Sequence, residues 1–151
     1  MTEAKLLHFD DAEPLSGAER RELVYANSTT LAYVGDAVYE LAVRTYLIRQ
    51  RSAGVNQIHR KAVRYVSSEG QARAIKQMAE GFLTEEEELV YRRARNRRAT
   101  SRPKNADPRR YKLATGLEAL IGFLYLARER ERLEEVLAEI IRIIEEGEDH
   151  E

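Results

Sequence analysis

The sequence predicts an all-α fold, a bundle of helices with no sheet. Three observations carry this. Apolar residues recur at three- and four-residue steps along most of the chain, period-two alternation is nearly absent, and capping and stopping residues punctuate the periodic stretches. The 151 residues are one domain's worth of protein, and 43% hydrophobic with 34% charged residues allows a real core under a heavily charged surface.

Taken in order, residues 12–27, with LSGAERREL, form a helix or loop added before the main domain. Leu31, Val34, Val38, Leu41 and Ile48 trace one face of a helix over about 29–51, with Gly54 as its stop. Ile58, Ala62, Tyr65 and Val66 continue the helical pattern. Ser67-Ser68 starts a further helix that turns Ala72, Ile75 and Ala79 inward and ends at Gly81. Thr84 followed by Glu87 is a capping box; Glu85 to Glu88 then lie at the positive end of the helix dipole, and the arginines from Arg92 on lie toward its negative end. Residues 99–106 read as loop. Asp107-Pro108 is an N-cap followed by a first-turn proline. Leu133, Leu137, Ile140, Ile141 and Ile144 stripe the last helix. The expected division is an N-terminal extension over 1–28, one domain over 29–146 and an acidic tail over 147–151.

Composition excludes several classes. There is no Cys, hence no disulfide framework, thiol nucleophile or Cys-ligated metal, and His8, His59 and His150 are too scattered for a His-rich metal site. The longest nearly apolar run, residues 113–127, is about 15 residues long and falls short of the roughly 18 to 20 that a bilayer needs. The N-terminus lacks an apolar signal core, so a soluble, cytoplasmic protein is expected.

Two helices carry charges that their pattern does not want. Asp36 and Glu40 are the only charges over 29–43, and Glu118 is the only one over 113–127. A helix apolar nearly all round belongs in a core, where an unpaired carboxylate costs several kcal/mol, roughly, unless something compensates it. Gly35 adjoins Asp36, and Gly116 and Gly122 flank Glu118. If the helices cross at these glycines, the carboxylates meet and form a hard oxygen site suited to Mg²⁺ or Mn²⁺. The competing reading pairs Asp36 and Glu118 with Arg44, Lys112 or another neighbour. Glu40, one turn beyond Asp36, either supports the site from behind or belongs to the surface.

Between Arg92 and Lys112 stand ten basic residues and one acid, a segment charge of +9 within a chain whose net charge is −1. The local field is what an approaching polyanion feels. Arg92, Arg95, Arg97, Arg98, Arg102 and Lys104 are the candidate phosphate contacts, since the guanidinium fork matches phosphate oxygens. Tyr91 and Tyr111 are too few for a single-strand stacking platform, which favours duplex recognition through backbone and shape. Alternatively, these cations pair with the chain's own acids.

At this point a resemblance enters. LAYVGDAVYEL (31–41) resembles the signature helix of the ribonuclease III fold, and LATGLEALIGFLYL (113–126) its later metal-binding helix. VNQIHRKAVRYVSSEGQA (55–72) and the RARNRR…RPKN segment are similar to the Mini-ribonuclease III branch, whose catalytic domain stands without a double-stranded-RNA-binding domain. The resemblance implies a ribonuclease III catalytic-domain-like helical bundle. It further implies metal-dependent endonuclease action on duplex RNA leaving 5′-phosphates, with Asp36 and Glu118 as catalytic metal ligands for Mg²⁺ or Mn²⁺. A homodimer is implied too, together with maturation of large-subunit (23S) ribosomal RNA precursor ends aided by a ribosomal protein. Where the wider family has two further carboxylates this chain has Ala32 and Thr115, as the Mini-III branch does; Thr115, like Glu40, is left to support the ligands from behind. A non-catalytic RNA-binding or ribosome-assembly module of the same fold is the alternative. Tyr33 and Tyr39 are candidates for the dimer interface.

Overall fold

The computed structural model describes residues 6–7, 13–50, 54–97, 105 and 107–148. Seven helices and no strand occur among them: α1 (Gly17–Val24), α2 (Ser28–Arg49), α3 (Val55–Val66), α4 (Ser68–Met78), α5 (Glu85–Asn96), α6 (Pro108–Leu126) and α7 (Arg130–Glu148). The all-α bundle is what the periodicity predicts.

Helix α6 is the axis, with α2, α4 and α5 packed around it and α7 closing the side next to α4. Leu117, Leu120, Ile121, Phe123 and Leu124 of α6 are all essentially inaccessible, which explains why this helix is apolar on every face. Its start follows the sequence signal: the Asp107 side chain accepts from the amide of Arg109 at 2.9 Å, and Pro108 takes a first-turn position where no amide is needed. The capping box at Thr84 forms as expected, with bonds of 3.0 and 3.1 Å exchanged with Glu87.

Helix α2 differs from expectation. Its buried stripe is Leu31, Ala32, Gly35, Tyr39, Val43 and Leu47, so the face predicted from Leu31, Val34, Val38, Leu41 and Ile48 is rotated. Leu41 and Ile48 are 60% and 61% exposed. The small residues Ala32 and Gly35, which an apolarity count passes over, are what let α2 approach α6. Tyr39, offered as an interface residue, is fully buried inside its own chain and donates its hydroxyl to the Tyr65 carbonyl at 2.6 Å; Tyr33 is 83% exposed. Gly54 does not stop α2. With φ +74 it is the residue from which α3 starts.

The crossing of α2 over α6 is a backbone contact. A Cβ on Gly35 would stand 1.7 Å from the Glu118 carbonyl oxygen, and one on Gly122 would stand 2.0 Å from the Leu31 carbonyl oxygen. Gly116 was expected at this crossing; it packs instead on the Tyr91 ring of α5. The unassigned N-terminal segment contains α1, opened by a Ser16–Glu19 capping box and held by Arg20, which pairs with Glu86 of α5 and with Glu129 after α6.

Candidate active site

The crossing brings Asp36 and Glu118 into one cleft, close enough for each to feel the other's charge. Glu118 is largely buried, whereas Asp36 is exposed at the mouth of the site, so only one of the two is a core carboxylate. Burial, the charge and hydrogen bond of Asp36 and the charge of Glu40 together push Glu118 up to about 8. Every one of these effects raises it; no cation opposes them.

That bears on the ion-pair reading. Arg44, the nearest candidate in sequence, pairs with Glu40 at 3.4 Å, and among the described residues neither Asp36 nor Glu118 has an ion-pair partner. Glu87 shows what a compensated carboxylate looks like in this chain. Burial works to raise it, but Arg132 at 2.8 Å and the Thr84 amide outweigh burial and hold it below the usual carboxylate range. Among the described residues Asp36 and Glu118 lack such a partner, and burial together with the nearby charge of Asp36 makes Glu118 hold its proton.

The elevated Glu118 has a measurable consequence. A carboxyl group with a raised folded-state pKa stabilises the fold below its unfolded value near 4.5 and loses that contribution as pH rises toward 8. In EDTA, the melting temperature of the wild type relative to Glu118→Gln should fall steadily between pH 5 and 8, by an equivalent of about 2 to 4 kcal/mol. Parallel curves for the two proteins would show that Glu118 ionises normally.

The pair stands in a cleft of about 400 Å³ that also includes Ala32, Thr115, Gln71, Arg97 and Lys112. Thr115 lines the cleft and donates its hydroxyl to the Tyr111 carbonyl at 2.9 Å. Glu40 faces the neighbouring cleft with Arg44 and His59; it acts on Glu118 only through its charge. Among the described residues no third His, Cys, Asp or Glu joins Asp36 and Glu118 as a metal cluster. Two hard carboxylate oxygen donors without a counter-cation still suit a divalent metal that keeps much of its own water.

The basic candidates divide. Arg97 caps the end of α5, donates to the Asn27 side chain at 2.8 Å and lines the cleft. Arg95 lies over the Tyr91 ring and lines a second, basic cleft of about 890 Å³, where Lys76, Arg109 and Arg110 join it and which shares Lys112 with the first. Arg92 pairs with Glu88 at 2.7 Å across exposed side chains, as the self-pairing alternative has it. Such a pair is worth at most about 1 kcal/mol and yields readily to a phosphate. Arg98, Arg102 and Lys104 lie outside the described residues. Gln71 and Lys76 escaped sequence reasoning because they stand on α4, far along the chain from both carboxylate-bearing motifs.

An all-α bundle with two neighbouring carboxylates at a helix crossing, opening on a basic cleft, has the features of a nuclease. The comparisons agree: the Ribonuclease III domain model matches residues 29–129. The chain is 48% identical over 118 residues to Mini-ribonuclease 3 of Symbiobacterium thermophilum, covering 78% of this chain and 90% of that protein. It is 40% identical over 133 residues to that of Clostridium tetani, covering 87% of each. A crystal structure of a Fusobacterium nucleatum protein superposes with a TM-score of 0.70 at 27% identity, over 80% of this chain and 96% of that one. The chain belongs to the ribonuclease III family, in its Mini-ribonuclease 3 branch. It is an endoribonuclease of a family that works with divalent metal. No helix among the described residues is long and apolar enough to cross a membrane.

Proposed function

We propose that the protein hydrolyses phosphodiester bonds in double-stranded or structured RNA, with Mg²⁺ (or Mn²⁺ in its place) held by Asp36 and Glu118. The observation that carries this is the Asp36–Glu118 pair itself, two neighbouring carboxyl groups without an ion-pair partner among the described residues, in a cleft edged by Arg97 and Lys112. Bound there, the ion supplies Lewis-acid stabilisation of the scissile phosphate and lowers the pKa of an attacking water. The chain's own groups do the rest. Asp36 and Glu118 fix the position of the charge, while Arg97 and Lys112 draw the RNA backbone over it. The test is incubation with duplex RNA with and without Mg²⁺. Cleavage to 5′-phosphate ends only with metal is expected, and binding without cleavage in any divalent metal would leave a non-catalytic RNA-binding module.

Duplex cleavage on both strands calls for two such sites related by a twofold axis, so the proposal includes a homodimer. Exposed apolar side chains support it: Leu41 and Ile48 on α2 and Val55 and Val63 on α3, beside a cleft of about 280 Å³. Light scattering at cleaving concentrations should give twice the chain mass. The substrate we assign is the large-subunit ribosomal RNA precursor, processed in the cytoplasm with a large-subunit ribosomal protein. The resemblance of residues 55–72 and of the basic segment to the Mini-ribonuclease III branch is the ground for this assignment, and RNA ends mapped in cells depleted of the protein test it.

The cations set affinity. Neutralising Arg95, Arg97, Arg98 and Lys104 together should weaken RNA binding and flatten its log–log salt slope by roughly one unit per lost phosphate contact. An unchanged slope would assign these cations to the protein's own acids.

A further inference from the structure

At the wall of the cleft that contains the carboxylates, one buried side-chain carbonyl oxygen has no partner among the described residues. Gln71 stands in the first turn of α4, and its side chain folds back so that Nε2 donates to the Val66 carbonyl at 3.0 Å, at the end of α3. The residue is 3% exposed, and its Oε1 accepts no hydrogen bond among the described residues. Gln71 and Val66 both line the cleft that contains Asp36 and Glu118. A leucine of similar volume would remove the stranded Oε1 at the α3–α4 corner but would take away the donor of the Val66 carbonyl. The bond to Val66 fixes the amide plane, so the unpaired oxygen is held in one orientation.

The donor set says what such an acceptor is for. A hard divalent ion takes about six oxygens in all. Asp36 and Glu118 are the only carboxylates of a cluster that no third metal-ligating side chain joins among the described residues. The remaining positions fall to water, and metal-bound waters are strongly polarised donors that need acceptors around them. Thr115 can offer one set of lone pairs, since its proton is committed to Tyr111. Ala32 offers nothing.

We propose that Gln71 is a positioning residue whose Oε1 accepts a hydrogen bond from a water on the divalent cation held by Asp36 and Glu118. This rests on the metal reading of that pair, and the test keeps the two apart. Mn²⁺ binding to the full chain is measured by electron paramagnetic resonance without RNA, together with thermal melting in EDTA. Gln71→Leu should bind Mn²⁺ about tenfold or more weakly, the usual effect of losing a group that holds a metal's ligands in place. Its melting temperature in EDTA should change little, because the stranded oxygen goes while the Val66 carbonyl loses its donor. Gln71→Glu keeps an acceptor and adds negative charge, so it should bind Mn²⁺ severalfold more tightly than the wild type. Affinity within twofold of wild type in Gln71→Leu, or no gain in Gln71→Glu, overturns the proposal, whatever happens to cleavage. If Gln71→Leu shows no cooperative melt, Gln71→Glu decides alone. A wild type that takes up no Mn²⁺ would instead overturn the metal reading itself.

Discussion

Asp36→Asn should give a protein that holds duplex RNA and does not cut it. The amide keeps the shape of the side chain but removes the charge that would fix a cation beside Glu118. Losing that Lewis acid should lower kcat/KM about a thousandfold or more, an equivalent of at least about 4 kcal/mol of transition-state stabilisation. RNA affinity measured in Ca²⁺ or EDTA should stay near wild type, because the cations lie elsewhere on α5 and α6. Metal-free stability should hold level or rise. The substitution relieves the repulsion that pushes Glu118 up to about 8. An ion-pair role for Asp36 would give the opposite pattern, a loss of about 3 to 5 kcal/mol with cleavage near normal. Single-turnover cleavage and a melt in EDTA separate the two.

The second large effect is on the fold. Gly122→Ala puts a methyl group 2.0 Å from the Leu31 carbonyl oxygen, and Gly35→Ala puts one 1.7 Å from the Glu118 carbonyl oxygen. Both obstacles are helix backbone, which cannot swing aside as a long side chain can. Each variant should lose about 3 kcal/mol or more in urea titration, a large fraction of the roughly 5 to 15 kcal/mol by which a domain of this size is stable. The part that still folds should cleave poorly, since spreading α2 from α6 separates the two carboxylates. Gly17→Ala is the control. Its Cβ meets nothing within 4 Å, so it should be neutral or slightly stabilising. A Gly122→Ala protein as stable as wild type would mean that α2 and α6 pack farther apart than their glycines require.

The crossing itself was legible in the sequence, because a charge and an interior glycine each cost free energy in an apolar helix and here they occur side by side. Gly35 and Gly122 behave as that logic demands. Gly116 does not, since a glycine can equally admit a ring, and Tyr91 takes the space. The facing of α2 was misread for a related reason. Its contact with α6 runs through Ala32 and Gly35, whose value is their smallness, while its large apolar residues Leu41 and Ile48 stay exposed. Periodicity counts apolar bulk and is blind to close approach. Gln71 was out of reach of any pattern, because an amide on the inner face of α4 acquires meaning only when Asp36 and Glu118 arrive from two other helices.

The proposed catalytic pair draws one carboxylate from each half of the chain, and this bears on timing. A polypeptide leaving the ribosome N-terminus first exposes α2, with Asp36, well before α6 has been made. Until Gly122 seats against Leu31 there is no shared site, only an acidic side chain on an isolated helix. Contacts so distant in sequence form late relative to local ones, even in a helical protein. Nuclease activity therefore switches on as a whole with the docking of α6, and a half-made chain in a cell crowded with RNA is harmless to it.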